Sequence, residues 1–346
     1  MTQEVLFERR GHLGLITLNR PKALNSLTHE MALAMTDQLT QWQGDDAIAV
    51  VAVVGAGEKG FCAGGDIRAL YESGQSDKVY SRAFYRDEYI LDRLIKHYPK
   101  PYVAILDGIV MGGGVGISVH GSHRVATDRT TFAMPETGIG LFPDVGGSFF
   151  LPRLEGRLGM YLGLTGRRLK GADAFHAGVA THYAAQADEE AIIEALAALS
   201  PADEVGEVLD SFHADAGTAS FVAEMDDINR LFAGHTARDI FAALAADQSD
   251  FAQKALAGLK AMSPTSVAVA AEQLTRGANL DFDTCMTMEY RIARRFIDGV
   301  DFYEGVRATI IDKDGAPKWS KADLSEVAQA DIDAYFAPLG ADDLLF

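Results

Sequence analysis

Residues Ala49–Asp66 read AVVAVVGAGEKGFCAGGD: an unbroken apolar run, a glycine-rich loop, a short apolar step and a second glycine pair closed by an acid. A run so rich in β-branched residues marks a strand buried on both faces. Gly55–Gly60 (GAGEKG) then matches the G-x-G-x-x-G spacing of dinucleotide folds. That fold needs a helix opening inside the motif, and an acid ending a second strand about 20 residues on. Here the motif runs into another glycine loop, and helical periodicity resumes only near Asp77. The dinucleotide reading is disfavoured, and a glycine-rich surface turn is the plainer alternative.

Working outward, Val5–Arg9 and Leu13–Leu18 read as a strand hairpin turned at Gly11-His12, and Thr28 can cap a helix to about Trp42. Downstream, Asp77–His97 is helical and is stopped by Pro99 and Pro101. Tyr102–Leu106 is the next strand, Gly112–Gly114 opens a helix, and Arg124–Ala126 is a short strand. This alternation continues to about Tyr183 and predicts an α/β fold with helices packed on a sheet. Beyond about Ala184, segments such as EEAIIEALAAL and ARDIFAALAAD carry helical periodicity to about Gly299. The expected division is a core over 1–200 and a helical C-terminal region over 201–346 that completes the site, with its seam at Ser200-Pro201.

The 346 residues carry a net charge of −18, which argues against nucleic acid and anionic membrane as partners. No run of about 18 apolar residues is present. The start, MTQEVLFERR, lacks a secretory signal's apolar stretch, and its early acids argue against a transit peptide. Cys62 and Cys285 cannot form a disulfide framework and have no metal-ligand spacing, so a reducing cytoplasm is the expected location.

Two further loops carry chemistry: Asp107–Gly116 (DGIVMGGGVG) and Met134–Gly147 (MPETGIGLFPDVGG). Glycine inside a helix costs about 1 kcal/mol relative to alanine. Three in succession after a strand imply that the backbone approaches something closely, either a ligand or a packed neighbour. Two such loops can each aim one N–H at one oxygen, the requirement for stabilising a thioester's enolate or tetrahedral oxyanion. Glu136 and Asp144 each follow a proline in an apolar stretch. A carboxylate in such surroundings has a raised pKa and can exchange protons near neutrality. Ile139, Leu141 and Phe142 make a solvated loop with incidental acids the weaker reading. His120 and His123 lack a third metal ligand nearby. Cys62 reads as a small buried side chain, and Arg167-Arg168 with Lys170 as a solvated face.

Four segments, NRPKALNSL (Asn19–Leu27), FCAGGDI (Phe61–Ile67), GGGVG (Gly112–Gly116) and PETGIGLFPDVGG (Pro135–Gly147), resemble the crotonase (enoyl-CoA hydratase/isomerase) superfamily. The resemblance implies a crotonase-like ββα spiral with a helical C-terminal region, and an acyl-CoA carbonyl held by the N–H groups of Gly65 and Gly113. Hydratases of the superfamily carry two glutamates. One matches Glu136, but the other falls on Gly116, and they usually have glycine where this chain has Asp144. The Glu136/Asp144 pair, Glu88 in FYRDEYIL, and the C-terminal segments MSPTSVAVAAEQL, TMEYRIARRF and DFYEGVRATIIDKDGAPKW resemble the branch that hydrolyses 3-hydroxyisobutyryl-CoA in valine breakdown.

That likeness implies Glu136 and Asp144 as the working carboxylates, with Glu136 activating water or attacking the carbonyl to give a mixed anhydride. Glu88, with Gly113, would bind the hydroxyacyl group, and Lys22, Ala63, Asp66 and Ile67 would touch the CoA moiety. Coenzyme A enters as part of the substrate, with no separate cofactor and no metal. Crotonase relatives often form trimers, which implies a homo-oligomer unless the helical end of this chain changes the assembly. The charge of −18 repels CoA phosphates, so binding must rest on local basic side chains and backbone N–H groups. The rival readings are an isomerase or hydratase acting on another short acyl-CoA, and an inactive CoA-binding protein.

Overall fold

A computed structural model describes residues 3–199 and 204–346. The seam expected at Ser200-Pro201 lies outside the described residues. Instead of two consecutive stretches, the chain forms two compact units, each assembled from three segments. The first takes the chain up to Gly65, Asp87–Ala133 and Arg168–Ser220; the second takes Asp66–Arg86, Met134–Arg167 and Phe221–Phe346.

Among the described residues the first unit contains ten strands in two sheets. β1 (Val5–Arg10) and β2 (Leu13–Leu18) form the expected antiparallel hairpin, turned at Gly11 with φ +55°. β3 (Val50–Gly55) leads to the three-residue β4 (Gly60–Cys62), β5 (Tyr102–Leu106) to β6 (Ile109–Met111), and β7 (His123–Thr127) to β8 (Thr131–Ala133). β9 (Leu169–Lys170) and β10 (His182–Ala184) complete the set. The larger sheet has the order β1-β2-β3-β5-β7-β10, parallel from β2 onward; the smaller has the order β4-β6-β8-β9. Each of β3, β5 and β7 thus passes from the large sheet to the small one before the chain turns helical. This is the repeating ββα step of the expected fold.

Alternate residues of the large sheet, Leu13 and Leu15, Val50, Ala52 and Val54, Val103 and Ile105, face one core. Ile192, Ile193 and Leu196 of the helix Glu189–Ala198 close that core. Burying each of the valine, leucine and isoleucine side chains contributes roughly 1.5–3 kcal/mol. Thr28 caps the helix His29–Gln43 by accepting the Met31 N–H at 3.2 Å, and Trp42 near the end of that helix packs against Gly14 of β2.

The second unit is helical. Pro264–Gly277 is buried on nearly every face, and Phe282–Asp298 buries the stripe Cys285, Glu289, Ile292, Ala293 and Phe296. Helices continue past Gly299, where the periodicity read from the sequence ended, as Asp301–Val306 and Gln329–Phe336. The DFYEGVRATIIDKD segment is held together by ion pairs. Arg307 grips Glu304 through two nitrogens at 2.9 and 2.8 Å, and reaches Asp312 and Asp314 at 2.7 Å. Among the described residues no helix is long and apolar enough to cross a membrane.

Candidate active site

The GAGEKG loop leads into β4 rather than a helix, which removes the dinucleotide reading. Within the first unit, the Asn19–Leu27 segment straps the second glycine loop. Ala63 N–H donates to Leu24 O at 3.0 Å, Leu27 N–H donates to Gly64 O at 2.8 Å, and Leu27 bridges Gly65. Lys22 sits exposed on that strap, and Ala63 is half-buried.

The triple glycine has a separate reason at each position. Gly112 has φ +46° and precedes the helix Gly113–Val119. A Cβ on Gly113 would lie 2.4 Å from Glu88 Oε1 and 3.3 Å from Gly65 N; one on Gly114 would lie 2.3 Å from Cys62 O. Gly65, Gly113 and the buried Glu88 carboxylate therefore converge. As the first helical residue, Gly113 has no helix carbonyl to receive its N–H. Gly114 answers to packing alone, and Gly116 is buried within the same helix. Cys62 is fully buried; burial pushes its thiol up to about 12, and Sγ donates to Gly64 O at 3.6 Å. It is a thiol at neutral pH and no nucleophile. His123 rests against the ring of His182.

Within the second unit, Glu136 opens a short 3-10 turn, Glu136–Ile139, and its own carbonyl accepts the Leu141 N–H at 3.0 Å. Glu136 and Asp144 are each 5% exposed. Burial first, and the charge of Asp144 second, hold the Glu136 carboxyl well above the usual range. Among the described residues Glu136 Oε2 has no hydrogen-bond partner. Asp66, expected at the CoA moiety, uses its carboxylate to cap the helix Ile67–Gly74, accepting the Ala69 N–H at 3.3 Å. Arg167 is not part of a solvated face: it pairs with Glu224 and lies against Tyr161.

The Asp144 loop is backbone-strained. Val145 has φ +49° and Gly146 φ +84°. A β-branched residue in the left-handed region costs of order 1–3 kcal/mol and persists only where its surroundings over-determine it. Sequence reasoning missed the residue that holds this loop by hydrogen bonds. Glu289 Oε2 accepts the Gly146 N–H, and Oε1 the Ser148 N–H, both at 2.8 Å; the Ser148 hydroxyl also donates to Oε1. Burial pushes Glu289 up to about 7, against the pull of these hydrogen bonds. The available signal was an acid standing on the apolar stripe of an amphipathic helix.

A model of the enoyl-CoA hydratase/isomerase family matches residues 13–336. The chain belongs to this family. Among its relatives in the enoyl-CoA hydratase/isomerase family, the mitochondrial 3-hydroxyisobutyryl-CoA hydrolase of Rattus norvegicus is 49% identical over 352 residues, covering 100% of this chain and 91% of the relative. The human protein of the same name is 47% identical, covering 99% of this chain and 91% of the relative. Two solved structures of the family superpose closely. A carnitinyl-CoA dehydratase from Mycobacterium thermoresistibile is 42% identical with a TM-score of 0.93, covering 100% of this chain and 99% of that one. An enoyl-CoA hydratase from Rhodobacter sphaeroides 2.4.1 is 38% identical with a TM-score of 0.92, covering 99% of this chain and 100% of that one.

These likenesses bear out the crotonase-like fold. They overturn the cytoplasmic expectation, because the hydrolase relatives are named mitochondrial. The argument from cysteines had no power here: two buried free thiols fit any reducing compartment, not the cytoplasm in particular.

Proposed function

We propose that the chain hydrolyses the thioester of 3-hydroxyisobutyryl-CoA, releasing 3-hydroxyisobutyrate and free CoA, as a step of valine breakdown. One observation carries the choice within the family: Asp144 is buried and its charge acts on Glu136. A family member relying on two glutamates would have glycine at this position and an acid at Gly116.

In this reading the Gly65 and Gly113 N–H groups take the carbonyl oxygen and stabilise the negative charge it gains on attack. Glu136, held high in pKa, either removes a proton from water or attacks the carbonyl carbon itself. The first route gives a tetrahedral oxyanion directly; the second gives a mixed anhydride that water then opens. In both, the C–S bond breaks and the CoA thiolate leaves, taking up a proton. Asp144 orients the water or the substrate hydroxyl and exchanges a proton with Glu136. Glu88 receives the hydroxyacyl group. Lys22 and Ala63 lie toward the CoA moiety, joined in the reading by Asp66 and Ile67, although Asp66 already serves as a helix cap. The CoA portion of the substrate is the only cofactor chemistry needed, and the active form is a homo-oligomer.

The second reading is hydration or dehydration of another short acyl-CoA. The names of the two superposable structures favour it; Gly116 and Asp144 oppose it. The test is one preparation assayed for thiol release from 3-hydroxyisobutyryl-CoA and for hydration of crotonyl-CoA. Thiol release without hydration supports the hydrolase. Hydration alone overturns it, and tight binding with neither reaction leaves an inactive CoA-binding protein.

A further inference from the structure

Two helices of the second unit grip the loop Pro143–Ser148 from both ends. From Phe282–Asp298, the Glu289 carboxylate accepts the N–H groups of Gly146 and Ser148 and the Ser148 hydroxyl. From Pro264–Gly277, Gln273 Nε2 donates to Pro143 O at 2.7 Å. All of these groups are buried, where an unmade hydrogen bond is costly and a made one is directional. Asp144 and the strained Val145 stand between the two grips, and the turn is closed by Gly147 N–H donating to Asp144 O at 2.8 Å. The two grips on either side of Val145 come from residues some 130 and 143 positions away in the sequence.

We propose that Glu289, assisted by Gln273, is a positioning residue that fixes Asp144 by clamping the backbone on either side of it. The proposal rests on the reading that Asp144 takes part in thioester hydrolysis. A carboxylate is required because three donors converge on it. Glutamine in its place offers one acceptor oxygen, and its amide nitrogen faces an N–H. One anchor is then lost and the loop can leave its strained conformation.

The test is a double-mutant cycle on kcat for thiol release, with Glu289→Gln, Asp144→Asn and the pair, and with KM followed throughout. Glu289→Gln is expected to lower kcat about tenfold or more with KM within twofold. In the Asp144→Asn background it should cost nothing further, because there is no longer a carboxylate to position. Ser148→Ala and Gln273→Met, each removing one hydrogen bond, serve where Glu289→Gln fails to fold, and each should lower kcat a few-fold in the wild-type background only. The same fold-loss in both backgrounds overturns the proposal, since Glu289 or its partners would then support the fold generally. Wild-type kcat in folded Glu289→Gln, where Asp144→Asn is crippled, also overturns the proposal while leaving the hydrolase reading intact. Wild-type kcat in Asp144→Asn removes that reading and the proposal together.

Discussion

The glycine loops of the first unit and the carboxylate loop of the second solve opposite problems. At Gly113 the protein removes a side chain so that the backbone and the Glu88 carboxylate can share one small space. At Asp144 it buries a side chain and holds the backbone under strain, using a carboxylate brought from a distant helix. The first device is local: three consecutive glycines announce it. The second is tertiary, because the backbone on either side of Val145 is bonded by Glu289 and Gln273. Backbone-donor sites are therefore legible in a sequence, whereas the support of a working acid is written elsewhere in the chain.

The contrast can be broken at several points. The largest effect is expected at Glu136. Glu136→Gln should lower kcat by about 10²-fold or more, as for loss of a positioned base, with acyl-CoA binding retained. The same change should stabilise the fold at high pH. The folded chain holds the Glu136 proton above the unfolded pKa, so wild-type stability falls as pH rises through the raised value. Thermal melts should show the mutant's advantage growing with pH and vanishing in acid. An advantage independent of pH would contradict the assignment.

Next comes the backbone donor. Gly113→Pro removes the N–H at a helix position that proline tolerates, and should cost about 3 kcal/mol in kcat/KM. Gly113→Ala sharpens the comparison, because it keeps the N–H and adds only the Cβ that crowds Glu88. If alanine loses as much as proline, crowding and not the lost donor explains the defect.

Gly114 separates packing from chemistry within the same triplet. Gly114→Ala places a Cβ against the Cys62 carbonyl and should destabilise by about 1–3 kcal/mol in urea unfolding, with kcat of the folded fraction unchanged. A lower kcat at full stability would move this glycine into the site.

The smallest effect is a displacement of a pH profile. The charge of Asp144 helps to raise Glu136, so Asp144→Asn should move the acid limb of its residual kcat/KM to lower pH. A shift to higher pH would show that the two carboxylates are not electrostatically linked in this sense.

Much of this was legible because long elements carry their own period. The hairpin, β3, β5 and the helix Val79–Lys96 stand close to their expected limits. The second sheet was not legible, since strands of two or three residues such as β4, β6, β8 and β9 are too short to show alternation. The two-part division at residue 200 missed the interleaving because sequence order says nothing of which separated segments pack together. Of the candidate site, the two glycine loops, Glu136 and Asp144 stood out by residue type and setting, while the positions Gly65 and Gly113 within those loops came from the family likeness. Glu88 came only from the family likeness, although it stands on the apolar stripe Phe84, Leu91 and Ile95 of its helix. Glu289 was passed over although its place on an apolar stripe marked it.

The central claim is that a second buried carboxylate beside Glu136 makes this family member a hydrolase. Its most direct test is steady-state thiol release from 3-hydroxyisobutyryl-CoA by Asp144→Gly, with acyl-CoA binding measured by calorimetry on the same sample. The account expects binding near the wild-type level and no detectable thiol release. Release at the wild-type rate would contradict it and return the chain to the isomerase and hydratase readings.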